Sequence, residues 1–125
     1  MKKIFTEKAP AAIGPYSQAM VIGKLVYTSG QIPIDPASGE IEAKDIDGQT
    51  EQVCKNLDAV LTAAGASLNS VIKTTCFLSD MADFAAFNGV YAKYFTACPA
   101  RSCVAVKALP KGSLVEIEAI AEIEE

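Results

Sequence analysis

The 125-residue chain has no histidine and no tryptophan. Without histidine it lacks a side chain that ordinarily titrates near neutrality, which excludes Ser–His–Asp and Cys–His catalysis and imidazole metal sites. Chemistry is left to carboxylates, tyrosine, cysteine, lysine, arginine, water and the backbone. The four cysteines, Cys54, Cys76, Cys98 and Cys103, stand in no CxxC or other metal spacing. Free thiols in a reducing cytoplasm are expected, with a Cys98–Cys103 bridge as the alternative. No apolar run approaches transmembrane length, and "MKKIFTEKAP" carries basic residues without an apolar stretch, so neither a membrane partner nor a signal peptide is expected. Eleven Lys and Arg stand against fifteen Asp and Glu, a net charge of −4, with no basic stripe. A phosphate-led nucleic-acid surface is therefore unsupported. Walker and dinucleotide glycine signatures are also missing.

What is present is apolar residues: half the chain is hydrophobic and mean hydropathy is +0.24. A chain this short struggles to hide so much apolar surface alone, so part of it is expected between subunits. Residues 1–125 read as one domain without repeat or linker. Lys3–Phe5 predicts a short strand and "AMVIGKLVYTSG" (Ala19–Gly30) a hairpin turning at Gly23-Lys24. "PIDPASGE" (Pro33–Glu40) is expected to be a loop. From Asp47 to Ala64, Val53, Leu57, Val60, Leu61 and Ala64 repeat at helical spacing, and Gly65 suits the position that ends the helix. "SVIKTTCFL" (Ser70–Leu78) predicts a strand, and Asp80 a cap for a second helix with a Phe84, Phe87, Val90, Tyr91, Tyr94 stripe. Asn88-Gly89 lies inside that helix, where glycine costs about 1 kcal/mol against alanine; either a close approach or a local weakness explains it. "ARSCVAVKAL" and "LVEIEAIAEIEE" predict two last strands around a "PKGS" turn. This order describes an α+β domain, its mostly antiparallel sheet covered by two helices on one face. The other face must meet water or another subunit.

Arg101 and Cys103 in "PARSCVAV" share a parity opposite to Val104 and Val106. A guanidinium at a strand entrance can clamp a carboxylate through two donors; from the stretch alone a salt bridge to Glu116 or Glu118, or a solvated strand end, is the favoured account. Glu116 and Glu118 interrupt an apolar strand on one face, opposite Val115, Ile117, Ala119 and Ala121. An edge strand facing water has that pattern. In a partly dry cleft, Glu116 can instead deprotonate a water. A turn between the last two strands would bring Glu116 toward the strand of Arg101. Cys103, with no histidine to activate it, reads as buried filler before nucleophile. Tyr16 and Ser17 follow a Gly14-Pro15 turn, and Ser29 and Gly30 end a strand; hydroxyls and N–H groups there can meet a ligand or serve packing.

The blocks "AIGPYSQA" (Ala12–Ala19), "YTSGQIPIDPASGE" (Tyr27–Glu40), "VIKTTCFLSDMADFAAFNGVY" (Val71–Tyr91), "PARSCVAV" (Pro99–Val106) and "LPKGSLVEIEAIA" (Leu109–Ala121) together resemble the RidA/YjgF/UK114 family of imine and enamine deaminases. The resemblance covers essentially the whole chain. It implies a chorismate-mutase-like α+β fold, assembled as a homotrimer whose sheets form a barrel, with ligand clefts between subunits. Arg101 falls on the family arginine that holds the substrate carboxylate, and Glu116 on the glutamate assigned to the hydrolytic water. Tyr16, Ser29, Gly30, Asn88 and Cys103 fall on cleft positions. The implied reaction turns 2-iminobutanoate or 2-iminopropanoate into a 2-oxo acid and ammonia in the cytoplasm, with no cofactor and no metal. The loop "YFTACPARS" is shorter than the family's usual form, which bears on the cleft rim and substrate range. Two other readings stay open: a non-catalytic binder of small ligands or partners, and an endoribonuclease, the latter without a basic groove or histidine pair.

Overall fold

The computed structural model describes residues 1–124. Strands β1 (Lys2–Ile4), β2 (Ala19–Ile22) and β3 (Leu25–Thr28) come first, followed by the small pair β4 (Ile34–Asp35) and β5 (Glu40–Ile41). Helix α1 (Ile46–Ala63), strand β6 (Val71–Leu78), helix α2 (Phe84–Tyr94) and strands β7 (Ala100–Ala105) and β8 (Val115–Glu122) complete the chain. The main sheet runs β1-β2-β3-β8-β6-β7, antiparallel except for the parallel β6–β7 pair. This is the α+β arrangement expected, with one addition. The supposed loop at Pro33–Glu40 contains β4, which pairs with β5 through Ile34–Ile41 and Asp35–Glu40. Two-residue strands are too short to leave an alternating pattern in the sequence.

Both helices cover one sheet face. Helix α1 buries Val53, Leu57, Val60 and Leu61 of the stripe its spacing predicts, while Ala64, the last residue of that stripe, is the C-cap just beyond the helix and only partly buried. The helix begins one residue earlier than the apolar pattern implies, because Asp45 caps it by accepting from Gly48 N at 2.8 Å. At its other end Gly65 adopts φ 88°, the left-handed conformation that stops a helix. Asp80 caps a 3₁₀ turn, Met81–Asp83, by accepting from Ala82 N at 2.9 Å; that turn then leads into α2. Gly89 is exposed, and a Cβ there would meet nothing within 4 Å, so no close approach within the chain requires it.

Strand β8 turns Val115, Ile117, Ala119 and Ala121 into the core. Its Glu116, Glu118, Ile120 and Glu122 occupy the opposite face, which no helix covers. Strand β6 lies between β8 and β7, so the last two strands do not pair with one another. The expectation that they would bring Glu116 toward the strand of Arg101 is corrected here. Strand β7 reaches the edge through a parallel crossover by α2, and β8 fills the space between β6 and β3. Chain neighbours need not be sheet neighbours when a helix intervenes.

Candidate active site in two halves

One half of the site gathers around Glu116. A cavity of about 660 Å³ is lined by Tyr16, Ser29, Gly30, Lys111 and Glu116, and on its apolar side by Ile13, Ile32 and Ile34. The walls owe their positions to buried amides. Gln18 accepts from Thr6 N at 2.7 Å and donates to the carbonyls of Thr6 and Pro10 at 3.0 and 2.8 Å, pinning the N-terminal segment. Asn56 on α1 donates to the carbonyls of Ile32 and Ile34 at 3.1 and 3.0 Å, fixing the opposite wall. The Ser29 hydroxyl donates to Ser17 O at 2.6 Å, so its proton holds the Tyr16–Ser17 segment while its oxygen can still accept. Gln31 continues the sheet: its N–H donates to Ile117 O at 2.8 Å, beside Glu116.

Glu116 is half-buried, and its carboxyl pKa is raised above the ordinary value, first by burial and then by the negative charge of Glu118. A raised carboxylate is a stronger base toward water once ionised. Gly30 lies directly beside this carboxylate.

The other half surrounds Arg101. Its register partner is Thr74 and that of Cys103 is Cys76, both buried on the helical face, so Arg101 and Cys103 point toward α2. Arg101 Nη1 donates to Asn88 Oδ1 at 2.7 Å. Its guanidinium carbon stands 4.8 Å from the ring centre of Tyr91, 5.5 Å from Phe84 and 5.8 Å from Phe87. These rings stabilise the cation without neutralising it. Tyr91 is itself fixed by a 2.7 Å hydrogen bond with Thr74 and by stacking on Phe95. The aromatic positions read from sequence as core stripe alone; their second role arises because β7 runs parallel beside β6, under α2.

Arg101 pairs with neither Glu116 nor Glu118, which lie across the sheet from it, and this corrects the salt-bridge reading. Cys103 is partly buried, and its thiol pKa is raised by burial, a shift that Arg101 only partly offsets. It remains protonated at neutrality, as expected of filler. All four thiols are free, which removes the Cys98–Cys103 alternative. In the short loop before β7, Cys98 takes φ 54° and is exposed. Among the described residues no three His, Cys, Asp or Glu side chains gather as a metal site, and no helix is long and apolar enough to cross a membrane.

The two halves do not meet within a chain. Glu116 is the register partner of Phe77 and Arg101 that of Thr74, on β6 between them. Two strand spacings and three residues along the strand separate their backbones by roughly 14 Å. Their side chains also leave opposite sheet faces. Tyr16, Ser29, Gly30 and Glu116 stand together; Arg101, Asn88 and Cys103 stand together; no small molecule spans both sets in one chain.

Residues 6–123 match the sequence model of the family described as endoribonuclease L-PSP. A RutC family protein of Pyrococcus horikoshii is 59% identical over 119 residues, covering 94% of each chain. The 2-iminobutanoate/2-iminopropanoate deaminase of Mus musculus is 50% identical over 121 residues, covering 96% of this chain and 90% of its own. The crystal structure of E. coli TdcF with bound serine superposes with a TM-score of 0.94 at 46% identity, covering 99% of this chain and all of the other.

Proposed function

The chain belongs to the RidA/YjgF/UK114 family, and from that membership we propose that it hydrolyses 2-iminobutanoate and 2-iminopropanoate to 2-oxo acids and ammonia, in clefts between the subunits of a homotrimer. The observation that carries this reading is the divided site. An arginine with an unneutralised charge and a carboxylate beside a cavity occupy opposite faces of one sheet. A heterologous, ring-closing contact sets one patch of a chain against a different patch of its neighbour, and so can bring the two halves together. The face left uncovered by helices would then line the barrel. The named activity of relatives about 50% identical gives the reaction class.

In the proposed cleft, Arg101 of one copy holds the substrate carboxylate through its remaining donors, and Asn88 keeps the guanidinium in plane. Glu116 of the neighbouring copy orients a water toward the C=N carbon and takes its proton as the C–O bond forms. The imine nitrogen becomes an amine, which receives that proton back from Glu116. The C–N bond then breaks as the new hydroxyl gives its proton to Glu116, leaving the ketone and ammonia, and ammonia takes that proton to depart as ammonium with Glu116 ionised again. A protonated imine is already electrophilic, so holding the reactants together supplies most of the acceleration, and no cofactor enters the scheme. Tyr16, Ser29 and Gly30 line the water's side of this cleft, and Cys103 the carboxylate's side. A cytoplasmic setting, where dehydratases release such imines, fits this chemistry.

The test uses imine generated by threonine dehydratase, with semicarbazide trapping what remains. Arg101→Ala and Glu116→Gln are each expected to abolish the acceleration. Co-expressed in equal amounts, they should regain about a quarter of the native rate, because a site drawing one residue from each of two randomly mixed chains is intact at about a quarter of all sites. No recovery, or full activity in either variant alone, rules the scheme out. Ligand binding without acceleration by the native protein would favour the non-catalytic binder. The family description invites an RNA assay as well: the net charge of −4 and absence of histidine predict that labelled RNA stays intact.

A further inference from the structure

Gly30 precedes the Gln31–Ile117 bridge, and its backbone lies outside the left-handed region, so the conformation itself does not demand glycine. What demands it is Glu116. A Cβ built on Gly30 falls 3.1 Å from Cγ and 2.8 Å from Cδ of Glu116, and closer still to Oε2. Its three nearest neighbours are all atoms of that one side chain. Carbon atoms in contact ordinarily stand about 3.5–4.0 Å apart, so an alanine here and the present Glu116 rotamer exclude one another.

We infer that Gly30 is a positioning residue: by having no side chain, it leaves the space in which the Glu116 carboxylate lies against the backbone, half out of water and aimed along the cavity wall. The inference rests on the reading of Glu116 as the base. The obstructing atoms are the far end of a flexible side chain, not backbone, so an added methyl group is accommodated by turning Glu116 outward. The chain therefore keeps its fold and loses the placement of one carboxylate. A displacement of about 1 Å at a reacting group costs on the order of a hundred-fold in rate. A carboxyl turned toward water also loses the burial that raises its pKa.

The experiment compares Gly30→Ala, Glu116→Gln and the double variant by steady-state kinetics, thermal melting and carboxyl NMR titration of Glu116. Gly30→Ala is expected to lower kcat ten- to hundred-fold at nearly unchanged KM and Tm, with the Glu116 pKa moved down toward the ordinary carboxylate value. In the Glu116→Gln background the same substitution should cost nothing further. Should Gly30→Ala fail to fold, Glu116→Ala in the same chain restores folding by emptying the contested space. An unchanged Glu116 pKa, or an unchanged kcat, in Gly30→Ala overturns the inference. Full activity of Glu116→Gln would instead overturn the base assignment, and the titration would still read the steric claim by itself.

Discussion

Arg101 is held between the Asn88 amide oxygen and three aromatic faces, whereas Glu116 is held by burial and by the gap at Gly30. The two environments treat charge differently: rings and a neutral acceptor leave the guanidinium without a counter-charge, while burial disfavours the charged carboxylate. The sign of the Glu116 effect follows from linkage. Its folded-state pKa exceeds its unfolded value, so its contribution to stability is complete below the ordinary carboxylate range and is lost as pH rises through the folded value. Glu116→Gln should therefore melt higher than the native protein at pH 7, and the gap should close below about pH 4. Melting curves at the two pH values check this; a variant less stable at pH 7 contradicts the burial argument. In the proposed scheme, the acid limb of the kcat/KM profile should lie above the ordinary carboxylate value, because Glu116 would first have to lose a proton that burial holds more tightly. For the thiols, burial pushes Cys76 up to about 12 and raises Cys54 and Cys103, while Cys98 is exposed. Iodoacetamide at pH 7 should label Cys98 first, Cys103 slowly, and Cys54 and Cys76 only on unfolding, as mass spectrometry after timed quenching would show.

At the scale of elements, α1 supports the sheet and also sets a wall of the cavity. Asn56 is buried to 1% exposure and spends both amide protons on the β4 segment, while its oxygen accepts from Gln52 at 2.9 Å. Asn56→Ala should strand two backbone carbonyls and cost about 1–3 kcal/mol. It should also raise KM more than it lowers kcat, since the wall at Ile32 and Ile34 loosens while Glu116 on β8 stays in place. A denaturant titration and steady-state kinetics on the same variant test both halves. In sequence, Asn56 is a polar residue inside an apolar helical stripe, a signal that gives burial without naming the partner. The helices and longer strands were legible because periodicity of 3.6 or 2 is a local property. The order β3-β8-β6-β7 was not, because it pairs residues 91 positions apart, as in the Ala119 N–H donating to Thr28 Oγ1 at 3.0 Å.

For the whole molecule, the uncovered sheet face is the surface through which the proposed trimer would close. Tyr27 on β3, with Ile120, Glu118 and Glu116 on β8, lies there, as do Ser102 and the exposed Val104 on edge strand β7. Apolar residues spread over an open face are expected to be covered by further protein. Light scattering should return three times the 13.2 kDa chain mass, in keeping with the trimer proposed above. Val104→Lys, which puts an ammonium on that face, should shift the mass toward one chain and lower activity in parallel. Mass and activity that fail to move together would separate the site from the assembly.

The sequence by itself determined the chemistry on offer and the parity of each strand: no imidazole, an arginine and a cysteine on one face of β7, carboxylates on one face of β8. Parity and residue type are properties of a short stretch of chain, and they survive whatever the stretch packs against. Only the tertiary structure decided that β6 would lie between those strands, that Arg101 would rest under α2 among aromatic rings, and that Glu116 would leave by the other face beside a glycine. Those placements arise from contacts between residues distant along the chain. The local pattern carries no record of them, and they are what divide this site into two halves.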